Sequence, residues 1–269
     1  GESVLDRLWK KNDSGRSFQH ELHSLRVVDH LAMRPSTHDR GLNLTYEVRD
    51  GIACHCGERT EQYLSPRKKI GRRLEALNQR GVHPITLEGC IVRMVDRIAY
   101  VGRDYEDALS TLGHLPPLPG KIVKVLGRDN RTIINRLVTD IIETNLRTPD
   151  RVGFSDDVFE ALSLIYEYNC RHIYFNPDLV EYARRTERML TEIFEFEQRE
   201  LVSRKESLWG KVNAADPLAA QELHHFIDKS YPVTGKPALC QIVIDHISMM
   251  TDRFARNLFE ELVLPKAVG

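Results

Sequence analysis

The sequence predicts an all-α fold of roughly ten helices, on three observations. Nearly every long segment repeats its apolar residues every three or four positions, the period of a helix that buries one face. No run alternates with period two, as a half-buried strand would. Clusters of proline and glycine separate the periodic segments, and both residues break helices.

The segments follow in order. In HELHSLRVVDHLA, Leu22, Leu25, Val28 and Leu31 recur at spacings of three. LTYEVRDGIACH continues with Leu44, Val48 and Ile52. Then come IVRMVDRIAYVGRDYEDAL from Ile91, RTIINRLVTDIIETNL from Arg131 and DDVFEALSLIYEYNCRHIYF from Asp156. VEYARRTERMLTEIFEFEQREL from Val180 and ALCQIVIDHISMMTDRFARNLFEEL from Ala238 complete the set. The breakers are SPRKKIGRR, GHLPPLPGK, TPDRVGFSDD, FNPD and YPVTGKP. One domain over residues 1–269 is expected, and the Pro-rich HLPPLPG divides it into a catalytic half (1–115) and a C-terminal helical half (116–269).

Composition excludes several classes. The chain has 269 residues, 41% hydrophobic and 29% charged, with a net charge of -1. That balance gives no general attraction to nucleic acid or to a membrane surface. No apolar run approaches the ~18–20 residues of a membrane span. The five cysteines, at 54, 56, 90, 170 and 240, are odd in number and form no disulfide ladder, so a reducing cytoplasm is expected.

Three stretches carry candidate chemistry. On a helix, RMVDRIAYVGRDYED sets Val92, Val95 and Ala99 in one apolar stripe. Asp96, Tyr100 and Asp104 share another face at i, i+4 and i+8, flanked by Arg93, Arg97 and Arg103. The plain reading is a solvated face with pairs such as Arg103 and Asp107. The functional reading is a nucleotide site: a carboxylate for a metal, arginine for phosphate, an aromatic for a sugar or base, and a second carboxylate for hydroxyls. Periodicity does not choose between them. In FQHELHSLRVV, His20 and His23 stand at i, i+3 as a general acid or base, a weak metal pair, or two structural histidines. CHCGE at 54–58 lacks a second ligand pair for zinc and reads as ordinary thiols.

Taken together, these motifs resemble the HD-domain deoxynucleoside triphosphate triphosphohydrolases, the bacterial dGTPase-like family. An F-x-H-x-x-x-S-x-R helix is matched by Phe18, His20, Ser24 and Arg26. GLNLTYEV stands at 41–48, and the helix of Glu88, Asp96, Ile98, Ala99, Tyr100 and Asp104 follows. DHISMMTDRFA at 245–255 matches the family's late motif. The resemblance implies an HD-domain helical bundle with additional C-terminal helices. It implies metal-dependent hydrolysis of a deoxynucleoside triphosphate, with dGTP the favoured guess, to a deoxynucleoside and inorganic triphosphate.

By the same resemblance Asp96 is a ligand of a divalent ion such as magnesium or manganese. Arg97 and Arg103 meet phosphates, Tyr100 packs on the sugar, Asp104 binds the 3′-hydroxyl, and Phe175 in IYFNPD lies in the segment near the base. Phe175 taken alone reads as core. His20 handles the proton at the scissile phosphate, and His20 or Glu2 supplies the leaving-group proton. A homo-oligomer is implied, a hexamer among the forms considered. Gly1 and Glu2 fit the close of the family's HD-x-GH-x-PFGH-x-GE segment, so an N-terminally incomplete chain is expected, inactive alone and a poor metal binder. The His38–Asp39 doublet is not assigned to the metal. The rival expectation is a catalytically silent nucleotide sensor or single-stranded nucleic-acid binder on this fold, using the basic run Arg67, Lys68, Lys69, Arg72 and Arg73.

Overall fold

The computed structural model describes the chain except residues 14, 35–36, 38, 57–60, 70–72, 75–80, 147, 149, 205–211, 214, 233–236 and 265–269. It is an all-α structure, 69% helical. No described helix is long and apolar enough to cross a membrane. The chain forms two compact units: Gly1–Leu42 with Glu181–Gly269, and Asn43–Val180.

The first unit contains α1 (Glu2–Asn12) and α2 (His20–Arg26), which continues as a π-helical turn, Val27–Leu31. Most of α8 (Pro177–Ser203) belongs here, with α9 (Leu218–Ser230), α10 (Leu239–Ser248) and α11 (Asp252–Val263). Its core joins Val4, Leu8 and Trp9 of α1 to Phe194, Leu223, Ile244 and Leu258. Helix α10 is buried along almost its whole length, from Cys240 to Ile247. An all-round buried helix needs partners for its polar side chains, and Gln241, Asp245 and His246 find them below. Gly41, at φ 79, closes the turn after α2, where a Cβ would run into the Asp29 carbonyl oxygen.

The second unit holds α3 (Tyr46–Ala53), α4 (Leu87–Leu112), α5 (Gly120–Val125), α6 (Asn130–Asn145) and α7 (Asp156–Asn169). Two strands of two residues, β1 (Tyr63–Leu64) and β2 (Val152–Gly153), pair antiparallel. They are too short to show a period of two, so the sequence pattern missed them. The core packs Cys90, Met94, Ile98 and Val101 of α4 against Ile133 and Leu137 of α6 and Ile165 of α7. Gly102 permits close approach: a Cβ there would sit 2.8 Å from Asn130 Oδ1 at the start of α6.

The expected apolar stripe of α4 is corrected. Val92 and Val95 are 52% and 43% exposed, and Ala99 is exposed too. The core takes the 90/94/98/101 stripe, because Met and Ile there meet α6 and α7.

Candidate functional site

In the second unit the candidate residues stand on α4. Thr86 starts this helix by accepting the Gly89 N–H at 3.0 Å, and Gly113 ends it at φ 70. The 26-residue length carries Asp96, Arg97, Tyr100, Arg103 and Asp104 on one rigid element. Tyr100 is 59% exposed, so its ring is free to pack on a ligand. Arg103 pairs with Asp107 at 3.0 Å, the i,i+4 pair of the plain reading. Asp104 accepts a hydrogen bond from the Tyr174 hydroxyl. Burial, and then Asp104, push the Tyr174 phenol up, so it stays a donor.

Arg93 and Arg97 separate sharply. Arg93 is 2% exposed and donates to the Cys54 and Val82 carbonyls at 3.2 and 3.1 Å, with Glu61 at 3.4 Å. It is a structural cation, which corrects its placement beside the ligand face. Arg97 has all three guanidinium nitrogens buried, with no hydrogen-bond partner among the described residues. Burial first, and then Arg93, lower its pKa, while Glu61 and Asp96 raise it. It remains a cation, and an unsatisfied buried cation is costly unless an anion meets it. Asp96 is half-buried next to it. Its carboxylate makes no hydrogen bond or ion pair among the described residues, so its oxygens suit a cation ligand.

Phe175, which alone reads as core, is 74% exposed. It closes the π-helical turn Cys170–Tyr174 just before Pro177 opens α8, and that turn directs its ring outward.

In the first unit Glu2 and His20 come together. Glu2 Oε2 lies 2.9 Å from His20 Nδ1, and Glu2 Oε1 accepts the His20 backbone N–H at 3.4 Å. Glu2 therefore orients the imidazole while satisfying a free N–H at the start of α2. The buried Glu21 approaches the same ring nitrogen at 3.6 Å. Glu2, His20 and Glu21 bring ligand atoms within 4.8 Å of one another, a donor set able to hold a cation.

Of the readings open for His20 and His23, the weak metal pair finds no support, because His23 is committed elsewhere. His23 Nε2 lies 2.5 Å from Ser248 Oγ, and its ring packs on Phe18 at 5.1 Å. Burial pushes the His23 pKa down, against Asp245 and aided by Arg26, which favours the neutral ring.

Beneath α2 lies a buried network that sequence reasoning missed. Asp245 is fully buried and accepts from Arg26 Nε at 2.8 Å, Arg26 Nη2 at 2.6 Å and Gln241 Nε2 at 2.8 Å. The Tyr231 hydroxyl donates to it as well. Arg26 ends the first motif and Asp245 opens the last, so the two motifs meet across 219 residues of chain. Their presence in separate motifs was the available signal.

The remaining candidates divide. Cys54 is buried, and burial, then Asp50, push its thiol up to about 11. Cys56 Sγ lies 3.2 Å from His55 Nε2, while Gly57 and Glu58 fall outside the described residues. Arg67 of the basic run turns inward, to Asp50, to the His83 carbonyl at 2.7 Å and to Tyr46 at 3.2 Å. Its guanidinium is committed to the fold, while Arg72 and also His38 lie outside the described residues.

Comparison with known proteins adds relatives. No family model matches the chain. It is 29% identical over 268 residues to a deoxyguanosinetriphosphate triphosphohydrolase-like protein of Desulfatibacillum aliphaticivorans, covering 98% of the chain and 66% of that protein. Proteins of the same description from Clostridium tetani and Caldanaerobacter subterraneus are 28% and 26% identical over 273 residues each. They match 100% and 98% of the chain. The chain spans 62–66% of the length of these three curated relatives.

Proposed function

Starting from a chain that is a relative of the deoxyguanosinetriphosphate triphosphohydrolase-like proteins over nearly its whole length, we propose that the protein hydrolyses deoxynucleoside triphosphates to a deoxynucleoside and inorganic triphosphate, with dGTP the first substrate to test. The observation that carries this reading is Arg97. Its buried guanidinium has no hydrogen-bond partner among the described residues, and the uncommitted Asp96 carboxylate adjoins it in sequence. An anion satisfies the first and a cation the second, and a metal–triphosphate presents both.

The roles follow from the side chains. Asp96 is a ligand for a divalent ion, which when bound offsets phosphate charge and activates water. Arg97 meets phosphate oxygens, and Arg103 supplies further positive charge from the same helix. Tyr100 packs on the sugar, Asp104 accepts from the 3′-hydroxyl, and the exposed Phe175 ring offers a surface for the base. His20, oriented by Glu2, supplies the proton to the departing 5′-oxygen. A homo-oligomer is part of the reading, supported by the apolar groove of Val48, Ile52 and Val92 between α3 and α4. Val92→Glu is then expected to lower the sedimentation coefficient, and an unchanged value removes the groove from the contact.

The test incubates the full-length protein with magnesium or manganese and each dNTP, detecting triphosphate and deoxynucleoside. Release of both by the parent, and its loss in a folded Asp96→Ala protein, is the expected result. Release of pyrophosphate or orthophosphate instead, or full activity in Asp96→Ala, refutes it.

A further inference from the structure

The first unit contains a second site that the hydrolytic reading does not use. A cavity of about 630 Å³ opens beside α9, α10 and the start of α11. Its apolar walls are Phe226, Phe254, Met33, Met249 and Met250, and His246 lines it too. This is the size and lining of a small-molecule pocket. Aromatic rings and thioethers together favour a flat ring as occupant. The His246 ring continues the flat surface, stacked on Phe226 at 4.9 Å and edge-on to Phe254 at 6.3 Å.

His246 is also the polar anchor. It is more than nine-tenths buried, and its Nδ1 lies 2.8 Å from Oε1 of the fully buried Glu197. Burial pushes the Glu197 carboxyl up, against the pull of His246. Burial favours the protonated Glu197 acid, which donates to Nδ1 and leaves the ring hydrogen on Nε2. That Nε2 has no hydrogen-bond partner among the described residues. The two ring nitrogens point in nearly opposite directions, so Nε2 turns away from Glu197, and the ring lines the cavity.

The charge at the mouth is balanced. Glu222 and Lys229 both line the cavity, and their charges cancel. No buried cation lies among the lining residues, so a phosphorylated ligand finds no counter-charge inside.

We infer that this cavity binds an uncharged planar heteroaromatic molecule of nucleobase size, stacked among Phe226, Phe254 and the methionines, with an acceptor on its edge taking the His246 Nε2 hydrogen. The inference rests on this unit alone and stands whether or not the protein hydrolyses nucleotides.

Methionine methyl-labelled protein is titrated with hypoxanthine, which has edge acceptors, and with indole, which has none. Hypoxanthine is expected to shift the Met33, Met249 and Met250 methyls and leave Met94, on α4, unmoved. His246→Phe keeps the ring and removes the donor. It should weaken hypoxanthine about three- to tenfold, the worth of one neutral hydrogen bond, and leave indole unchanged. Met249→Trp fills the exposed mouth without touching the core and should abolish both shifts, which keeps the test open if His246→Phe fails to fold. Lys229→Gln should change neither affinity. No shift at the three lining methyls, equal hypoxanthine affinity in His246→Phe, or survival of the shifts in Met249→Trp overturns the site. A tenfold loss in Lys229→Gln, with inosine monophosphate preferred over hypoxanthine, overturns the uncharged class.

Discussion

Removing Asp245 tests the buried network that holds α2. Its carboxylate has no solvent exposure and takes donors from Arg26, Gln241 and Tyr231. Asp245→Ala leaves the Arg26 guanidinium without a counter-charge and strands two neutral donors. Breaking one side of a buried pair costs about 3–5 kcal/mol. Asp245→Asn keeps the shape and one acceptor but loses the charge, and should cost about 1.5–3 kcal/mol. The double variant Arg26→Met with Asp245→Leu removes both charges together. It is expected to be more stable than Asp245→Ala, because no buried ion is left alone. Urea unfolding followed by circular dichroism measures all three, read as midpoint shifts at constant slope. Because His20 begins the helix that Arg26 ends, triphosphate release by Asp245→Asn should fall while its Km changes little. A loss under about 0.5 kcal/mol in Asp245→Ala, the range of surface substitutions, would refute the network's role. A double variant no more stable than Asp245→Ala would do the same.

The other predictions concern the candidate chemistry and the thiols. His20→Ala should lower turnover by about 10²–10⁴, the range for a lost general acid, and Glu2→Gln should lower it less while shifting the pH profile; parental turnover in His20→Ala returns that residue to a structural role. Asp104→Ala should reduce kcat/KM for dGTP roughly ten- to a hundredfold, the worth of a charged hydrogen bond. It should leave a 2′,3′-dideoxy substrate nearly unaffected, so equal losses on the two substrates would withdraw Asp104 from the sugar. Burial pushes the Cys54, Cys90 and Cys240 thiols up to about 11. Near pH 8 these three are almost wholly protonated, and iodoacetamide should modify the half-buried Cys56 and Cys170 first, as read by peptide mass spectrometry.

Helix content was legible because a 3.6-residue apolar period survives whatever the helix packs against. The segments that read as helical from residue 91 onward correspond to α4, α6, α7, α8, α10 and α11. The motifs around His20, Asp96 and Asp245 were legible as residue types at fixed spacing. Which face of α4 is buried was not, since Val92 and Met94 are equally apolar and only the approach of α6 and α7 chooses between them. Nor did spacing distinguish Arg93 from Arg97. They stand one turn apart with the same charge, yet among the described residues one finds two backbone carbonyls and the other none. Phe175 reads as core by composition and points to solvent because a π-helical turn reorients it. The Arg26–Asp245 pair and the His246–Glu197 dyad join residues 219 and 49 positions apart. Periodicity and local motifs are properties of neighbours along the chain, so the sequence alone determined most of the helices, though not α5 or α9, and the chemical kit. Burial and partnership are properties of neighbours in space, so only the tertiary structure decided which arginine is satisfied, which ring is exposed and which histidine has a nitrogen to offer.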